Sequence, residues 1–180
     1  MSCPSYTLNG IGYKCKDSLG GIKEVFIALA ESIDEITFDT AGSKITAITL
    51  GTGASKFKTF KFKKATGYMN SNLQTSDNAG NSIQTELFMQ FMKMETSKRT
   101  EMMALLMSPC VAIVHDSNDK YWFLGHDNPV EASAGTGATG TAATDLNGYT
   151  ITMTDESKAL PFEIDATAIT DTIIDDAPAA

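Results

Sequence analysis

The chain is poor in the residues that staple, ligate or react. Its 180 residues include three cysteines, Cys3, Cys15 and Cys110, and two histidines, His115 and His126. Three is an odd number and no CxxC occurs, so neither a disulfide framework nor a thiol redox motif is indicated. Zinc would need a fourth ligand from a histidine, and the spacing offers none. No apolar run approaches the ~20 residues of a membrane span, and no charged start with an apolar stretch and cleavage site opens the chain. These absences read as a soluble protein made in the cytoplasm with reduced thiols. Positive charge is also scarce: 14 Lys and Arg against 22 Asp and Glu give a formal net charge of −8. A protein that grips phosphate is basic over its binding face, so tight nucleic-acid binding is not expected. An acidic surface instead repels DNA and lets it pass.

What is present is mostly strand pattern. Val25, Ile27 and Leu29 alternate after Gly20 and Gly21. Ile36 and Phe38, then Ile45 and Ile48, predict an antiparallel hairpin turned at residues 39–43, with Gly42 as hinge. In "KFKTFKFKK", residues 56–64, Phe60 and Phe62 share one strand face and Lys61 and Lys63 the other. Phe57 has the wrong parity, which predicts a bulge near Thr59. A polar loop surrounds residues 77–80. Residues 82–94 read as a strand apolar on both faces: Ile83, Leu87, Met89 and Phe91 on one, Phe88, Met92 and Met94 on the other. Such a strand is covered twice, by a helix or by a neighbouring subunit. Thr96 or Ser97 is expected to cap a short helix with body 98–107, ended by Pro109. Residues 110–114 and 121–124 predict a second hairpin. Residues 133–148 are rich in Gly, Thr and Ala and read as a loop, with Asn147-Gly148 as a turn signal. Residues 149–154 alternate cleanly, and 160–165 hold one more short strand. The sum is a mainly β chain, a β-sandwich or barrel with one short flanking α-helix. Residues 1–164 form one domain, and the acidic residues 165–180 a C-terminal arm.

Motifs for chemistry are weak. Gly135, Gly137 and Gly140 match G-x-G-x-x-G, but no helix opens on the third glycine to hold a pyrophosphate. Residues 51–56, "GTGASK", lack the ending of a phosphate loop. His115-Asp116 and His126-Asp127 flank one hairpin, and neighbours in a strand point to opposite faces, so turn polarity explains them better than acid–base work. Asp116, Asn118 and Asp119 begin like a calcium loop without its glycine and distal glutamate. No catalytic residue, cofactor or metal site is expected, and the chain is not read as an enzyme.

The lysine strand points elsewhere. Five lysines and three phenylalanines occupy nine positions, while the C-terminal stretch is acidic. Lys58, Lys61 and Lys63 facing Asp171, Asp175 and Asp176 of another copy would give a head-to-tail contact of the kind that closes rings. Met89, Met92 and Met94 either fill an irregular core or supply an adaptable apolar contact. These nine residues are the candidate inter-subunit contacts.

Three stretches, "GGIKEVFIA", "KYWFLGHDNPVEA" and "YTITMTDESKALPFEI", resemble virion structural proteins of tailed phages that infect Bacteroidota. The element order also resembles that of phage tail tube proteins. The resemblance implies a homo-oligomer of hexameric rings stacked into a tube, whose inner wall is a continuous β-barrel with an acidic lumen for DNA passage. Residues 66–82 would then be the loop that reaches the next ring. Implied partners are copies of the chain, other tail or connector proteins and passing DNA without sequence-specific binding. No membrane is involved, and the location is the virion tail after synthesis in the host cytoplasm. Two alternatives remain: a head–tail connector, collar or capsid-decorating protein, and a carbohydrate-binding β-sandwich module presenting Tyr121 and Trp122.

Overall fold

A computed structural model of the chain describes residues 10–12, 18–76 and 80–175. In chain order its strands are β1 (Ile22–Leu29), β2 (Ile33–Phe38), β3 (Lys44–Leu50), β4 (Phe57–Lys61), β5 (Gly67–Gln74) and β6 (Ser82–Met92). The helix α1 (Thr96–Met107) follows, then β7 (Cys110–Asp116), β8 (Tyr121–Leu124), β9 (Glu131–Ala138), β10 (Gly148–Ser157), β11 (Phe162–Ile164) and β12 (Ile174–Asp175). They form an eight-stranded sheet in the order β12-β4-β1-β7-β8-β11-β3-β2 and a four-stranded sheet in the order β5-β6-β10-β9. The fold is mainly β, a sandwich or barrel with one short helix, as the alternation predicts.

Two apolar cores explain the architecture. One lies between the sheets: Val25, Ile27, Ala112, Val114 and Leu124 meet Leu87, Met89, Phe91, Ile151 and Met153, with Met102 and Leu105 of α1. The other lies on the opposite face of the larger sheet. Phe57 of β4, Ile45 and Ile48 of β3, and Phe26, Ile113, Phe123 and Ile164 share it, so that sheet curls around its own core. Central strands are therefore covered on both faces. Val25 to Ala28 of β1 and Cys110 to Val114 of β7 are buried without interruption, as expected for strands enclosed on two sides.

This double cover removes the expected bulge at Thr59. β4 pairs with β1 in unbroken register, Lys61 opposite Glu24 through Lys58 opposite Ile27. Phe57 enters the second core and Phe60 and Phe62 pack on the first. The odd parity is genuine, because each parity has its own core.

Other expectations shift in place. The β2–β3 hairpin turns where predicted, with Asp39 Oδ1 accepting from Ser43 N at 2.7 Å and Gly42 at φ 68°. The helix begins at Thr96, so Glu95 rather than Thr96 or Ser97 precedes it. Glu95 makes no side-chain cap bond but pairs with Lys93 at 2.6 Å and Lys98 at 3.0 Å. Of residues 66–82, residues 67–74 are strand β5 and not loop; β5 forms a hairpin with β6 from Gly67 opposite Met89 to Gln74 opposite Ser82, and residues 77–79 of the expected polar loop lie outside the described residues. Residues 133–138 belong to strand β9, paired with β10 from Gly148 opposite Ala138. Gly148 starts β10, and Asn147 before it docks just past the end of β6, where its O accepts from Lys93 N and its Oδ1 from Met94 N. Residues 165–175 are not a separate arm either: Ile173 is buried in the second core and β12 extends the larger sheet.

Candidate functional site

The open four-stranded sheet and the lysine strand are the surfaces to weigh. In the sheet, successive side chains alternate between the inter-sheet core and the outside. Thr85, Leu87, Met89 and Phe91 of β6 point inward and are buried. The outward set is Tyr68, Asn70 and Asn72 of β5, Gln84, Glu86, Phe88 and Gln90 of β6, Thr150, Thr152, Thr154 and Glu156 of β10, and Ala134 and Thr136 of β9, placed by the ladder registers. Glu86 and Glu156 are its charges, joined by Glu131 of β9 opposite Thr154, and it includes no Lys or Arg. Tyr68 stacks on Phe88 at 5.2 Å between ring centroids, and its hydroxyl donates to Glu86 at 2.5 Å, which raises the Tyr68 pKa. Thr136 and Thr150 hydroxyls meet at 2.6 Å. Among the described residues nothing covers this face, so they do not supply the second cover expected for β6.

The sheet also has two open edges. β5 pairs only with β6 and β9 only with β10 among the described residues. Each is eight residues long and contains no Lys, Arg or Pro. Natural edge strands are normally blunted by such residues or by brevity. The edges of the larger sheet are better guarded: among the described residues one is the two-residue β12, and the other, β2, carries two acids, Asp34 and Glu35, where β9 has Glu131 and one register shift and β5 no charge. The helix does not shield β9. A Cβ on Gly135 would lie 2.8 Å from Leu106 Cδ2, and Gly135 pairs with the buried Ile151, so α1 packs under the inward face and leaves the hydrogen-bonding edge open.

The lysine strand is engaged within the chain. Lys58 Nζ meets Asp175 Oδ2 at 2.5 Å, and the two residues are register partners in a parallel β4–β12 pair. Lys56 Nζ donates to the carbonyl of Asp171 at 2.6 Å. Lys61 lies across from Glu24 at 3.9 Å. Lys63 and Lys64 stand exposed beyond the strand end. The basic strand and the acidic segment thus meet, as their charges foretell, but in the same chain. Asp171 is exposed, and Asp176 lies outside the described residues. The three methionines separate: Met89 is fully buried and is no surface contact, whereas Met92 and Met94 are 43% and 38% exposed.

The remaining polar clusters are structural in geometry. His115 does not pair with Asp116. Its Nδ1 meets Glu24 Oε1 at 3.2 Å and its Nε2 meets Asp119 Oδ1 at 3.1 Å, while its ring stacks on Tyr121. A hydrogen bond from Lys23, then that of His115, holds the Asp119 carboxyl below its usual range. Asp116 accepts from Trp122 Nε1 at 3.1 Å and from the turn amides of Asn118 and Lys120. Trp122 packs on the first core and Tyr121 on the second, so the aromatic hairpin is not the exposed platform that a carbohydrate module needs. His126 and Asp127 do meet, at 3.1 Å, because the chain bends there instead of running as a strand. Beside them Asp155 is 3% exposed, accepting from Ser157 Oγ at 2.7 Å and Gly125 N at 3.3 Å. Burial pushes its carboxyl above the usual range. The notch at Phe123, His126, Asp155 and Leu160 has room for about one water. Among the described residues no group of three or more His, Cys, Asp or Glu is placed to hold a metal ion. No helix among them is long and apolar enough to cross a membrane.

The open edges are the feature that sequence reasoning missed. The low Lys and Pro content of residues 67–74 and 131–138 was the available signal. Comparison with protein-family models, curated proteins and solved structures finds no match to this chain.

Proposed function

We propose that the chain is a self-assembling structural subunit of a phage tail tube, forming stacked rings around an acidic lumen through which DNA passes. The observation that carries this reading is the pair of eight-residue edges, without Lys, Arg or Pro, that the described residues leave unpaired on one sheet. An edge of this kind templates another strand, and closure into a barrel is the arrangement that removes both edges at once. Strand directions in the order β5-β6-β10-β9 alternate throughout. β5 and β9 therefore run oppositely, and copies related by rotation join β9 to the next β5 in an antiparallel pair, the better-bonded type. The uncovered face becomes the lumen wall. It offers Thr, Gln, Asn and three Glu without a cation, so DNA finds no counterion-releasing contact on it.

With six copies per ring, the number that the resemblance implies, the wall has four strands from each. At a spacing of about 4.8 Å and a tilt of roughly 40°, its backbone diameter is about 45–50 Å. Negative-stain microscopy of the purified protein tests this. Rings or tubes are expected, and isolated rings that need a second protein would favour the connector reading. Asn70→Lys with Asn72→Lys guards the β5 edge. The double variant should keep its stability within about 0.5 kcal/mol, because both sites are exposed, and should no longer form particles. Undiminished assembly of a correctly folded variant would exclude the β5 edge as the joint.

A further inference from the structure

The last described residues occupy an edge that would otherwise be open. β12 lies parallel to β4, Ile174 opposite Phe57 and Asp175 opposite Lys58. Phe57 N donates to Ile173 O at 2.8 Å and Thr59 Oγ1 to Asp175 O at 3.3 Å. Ile173 sits as a buried knob in the core that holds Phe57. Lys56 and Lys58 clamp the segment from the side. Immediately before it, Thr170, Asp171 and Thr172 are exposed, and Thr170 O accepts from both Ile173 N and Ile174 N in a tight turn.

We infer that the outer edge of β4, with the slot filled by Ile173, is a strand-acceptor site whose second occupant is the same segment of a neighbouring copy. The isolated chain latches onto itself, and the assembled chain latches onto its neighbour. Three observations argue for this. Among the described residues the ladder is two residues long, so little of the backbone pairing they make must be released. Acceptor and segment are complementary in charge and shape, and a second copy presents identical groups, so exchange keeps every contact and leaves effective concentration to decide. The turn at Thr170–Thr172 is an exposed hinge. With Asp165 held by its bond to Ile45 O, residues 166–172 extended reach roughly 23 Å. At a tilt of roughly 40°, four strands take up about 25 Å of the wall, so the extended segment is about as long as one subunit is wide.

This inference rests on the self-assembly reading, and the test separates the two. In the full chain with Cys3→Ser and Cys15→Ser, the pair Lys58→Cys and Asp175→Cys is oxidised before and after particle formation and run on non-reducing gels. Internally linked monomer is expected from dilute protein, and covalent dimers and longer ladders from particles. Particles whose chains all run as internally linked monomer would overturn the exchange while leaving assembly intact. A chain that forms no particles at any concentration would overturn both. Should the paired variant not fold, a fluorescein-labelled peptide of residues 166–175 is incubated with the unmodified chain. Its anisotropy should rise, and the same peptide with Ile173→Asp should bind at least tenfold more weakly. Equal behaviour of the two peptides would overturn the acceptor slot.

Discussion

At the scale of the residue, Asp155 is the clearest case of a group held against its preference. Burial penalises its charged form more than the Ser157 hydroxyl and the Gly125 amide stabilise it, so its pKa is raised in the fold. A carboxyl with a raised folded pKa stabilises the fold while protonated, below the unfolded value near ~3.9, and that contribution is lost as pH rises through the folded value. At neutral pH the ionised group costs stability. Asp155→Asn keeps the shape, with its oxygen accepting from Gly125 and its amide donating to Ser157. The variant should melt higher than the parent at pH 7, where a gain of about 1 kcal/mol would read as roughly 2–4 °C in a chain of this size. The difference should vanish near pH 3, and scanning calorimetry across that range reads it directly. A parent that is the more stable at pH 7 would mean that the two donors outweigh burial.

At the scale of the element, two glycines rank differently for a reason visible in what each faces. A Cβ on Gly148 would lie 2.0 Å from the backbone oxygen of Phe91, and one on Gly135 would meet the end of the Leu106 side chain at 2.8 Å. Backbone cannot step aside, but a leucine rotamer can. Gly148→Ala is therefore expected to cost about 3 kcal/mol and Gly135→Ala under ~1.5 kcal/mol in urea unfolding. The same contacts show why β9 is not legible from its own residues. Its glycines answer to a helix and to Tyr149, contacts made by tertiary packing, so in sequence they read as loop. Strand β5 is hidden by Asn and Ser, and β12 by its length. By contrast β1, the β2–β3 and β7–β8 hairpins, β10 and α1 are legible, because burial on defined faces imposes an apolar period. Phe57 misleads for the opposite reason: parity arguments assume one buried face, and β4 has two. For the candidate surfaces, the sign of the lysines and of the acidic segment could be read in advance. That they meet within one chain could not, since charge names a type of partner and not its address.

At the scale of the whole molecule, net charge and edge chemistry oppose each other. A formal charge of −8 per chain makes copies repel, whereas in the proposed assembly strand edges draw them together. Salt screens the first and spares the second, with the Debye length falling from about 10 Å at 0.1 M to 3 Å at 1 M. Particle formation followed by light scattering should therefore rise with ionic strength. Retention of duplex DNA in a filter assay should stay at background even at low salt, where a basic groove would bind most tightly. Assembly that weakens on adding salt would place ionic contacts, not edges, at the joint. The alternating directions of the four open strands have one further consequence. An insertion of a whole hairpin leaves the outermost strands opposed, and the proposed seam between rotated copies is unchanged. A lone added strand would turn that seam parallel and misalign every donor with its acceptor. Descendants of such a subunit that widen their bore within one chain should therefore do so two strands at a time, or recruit more copies instead.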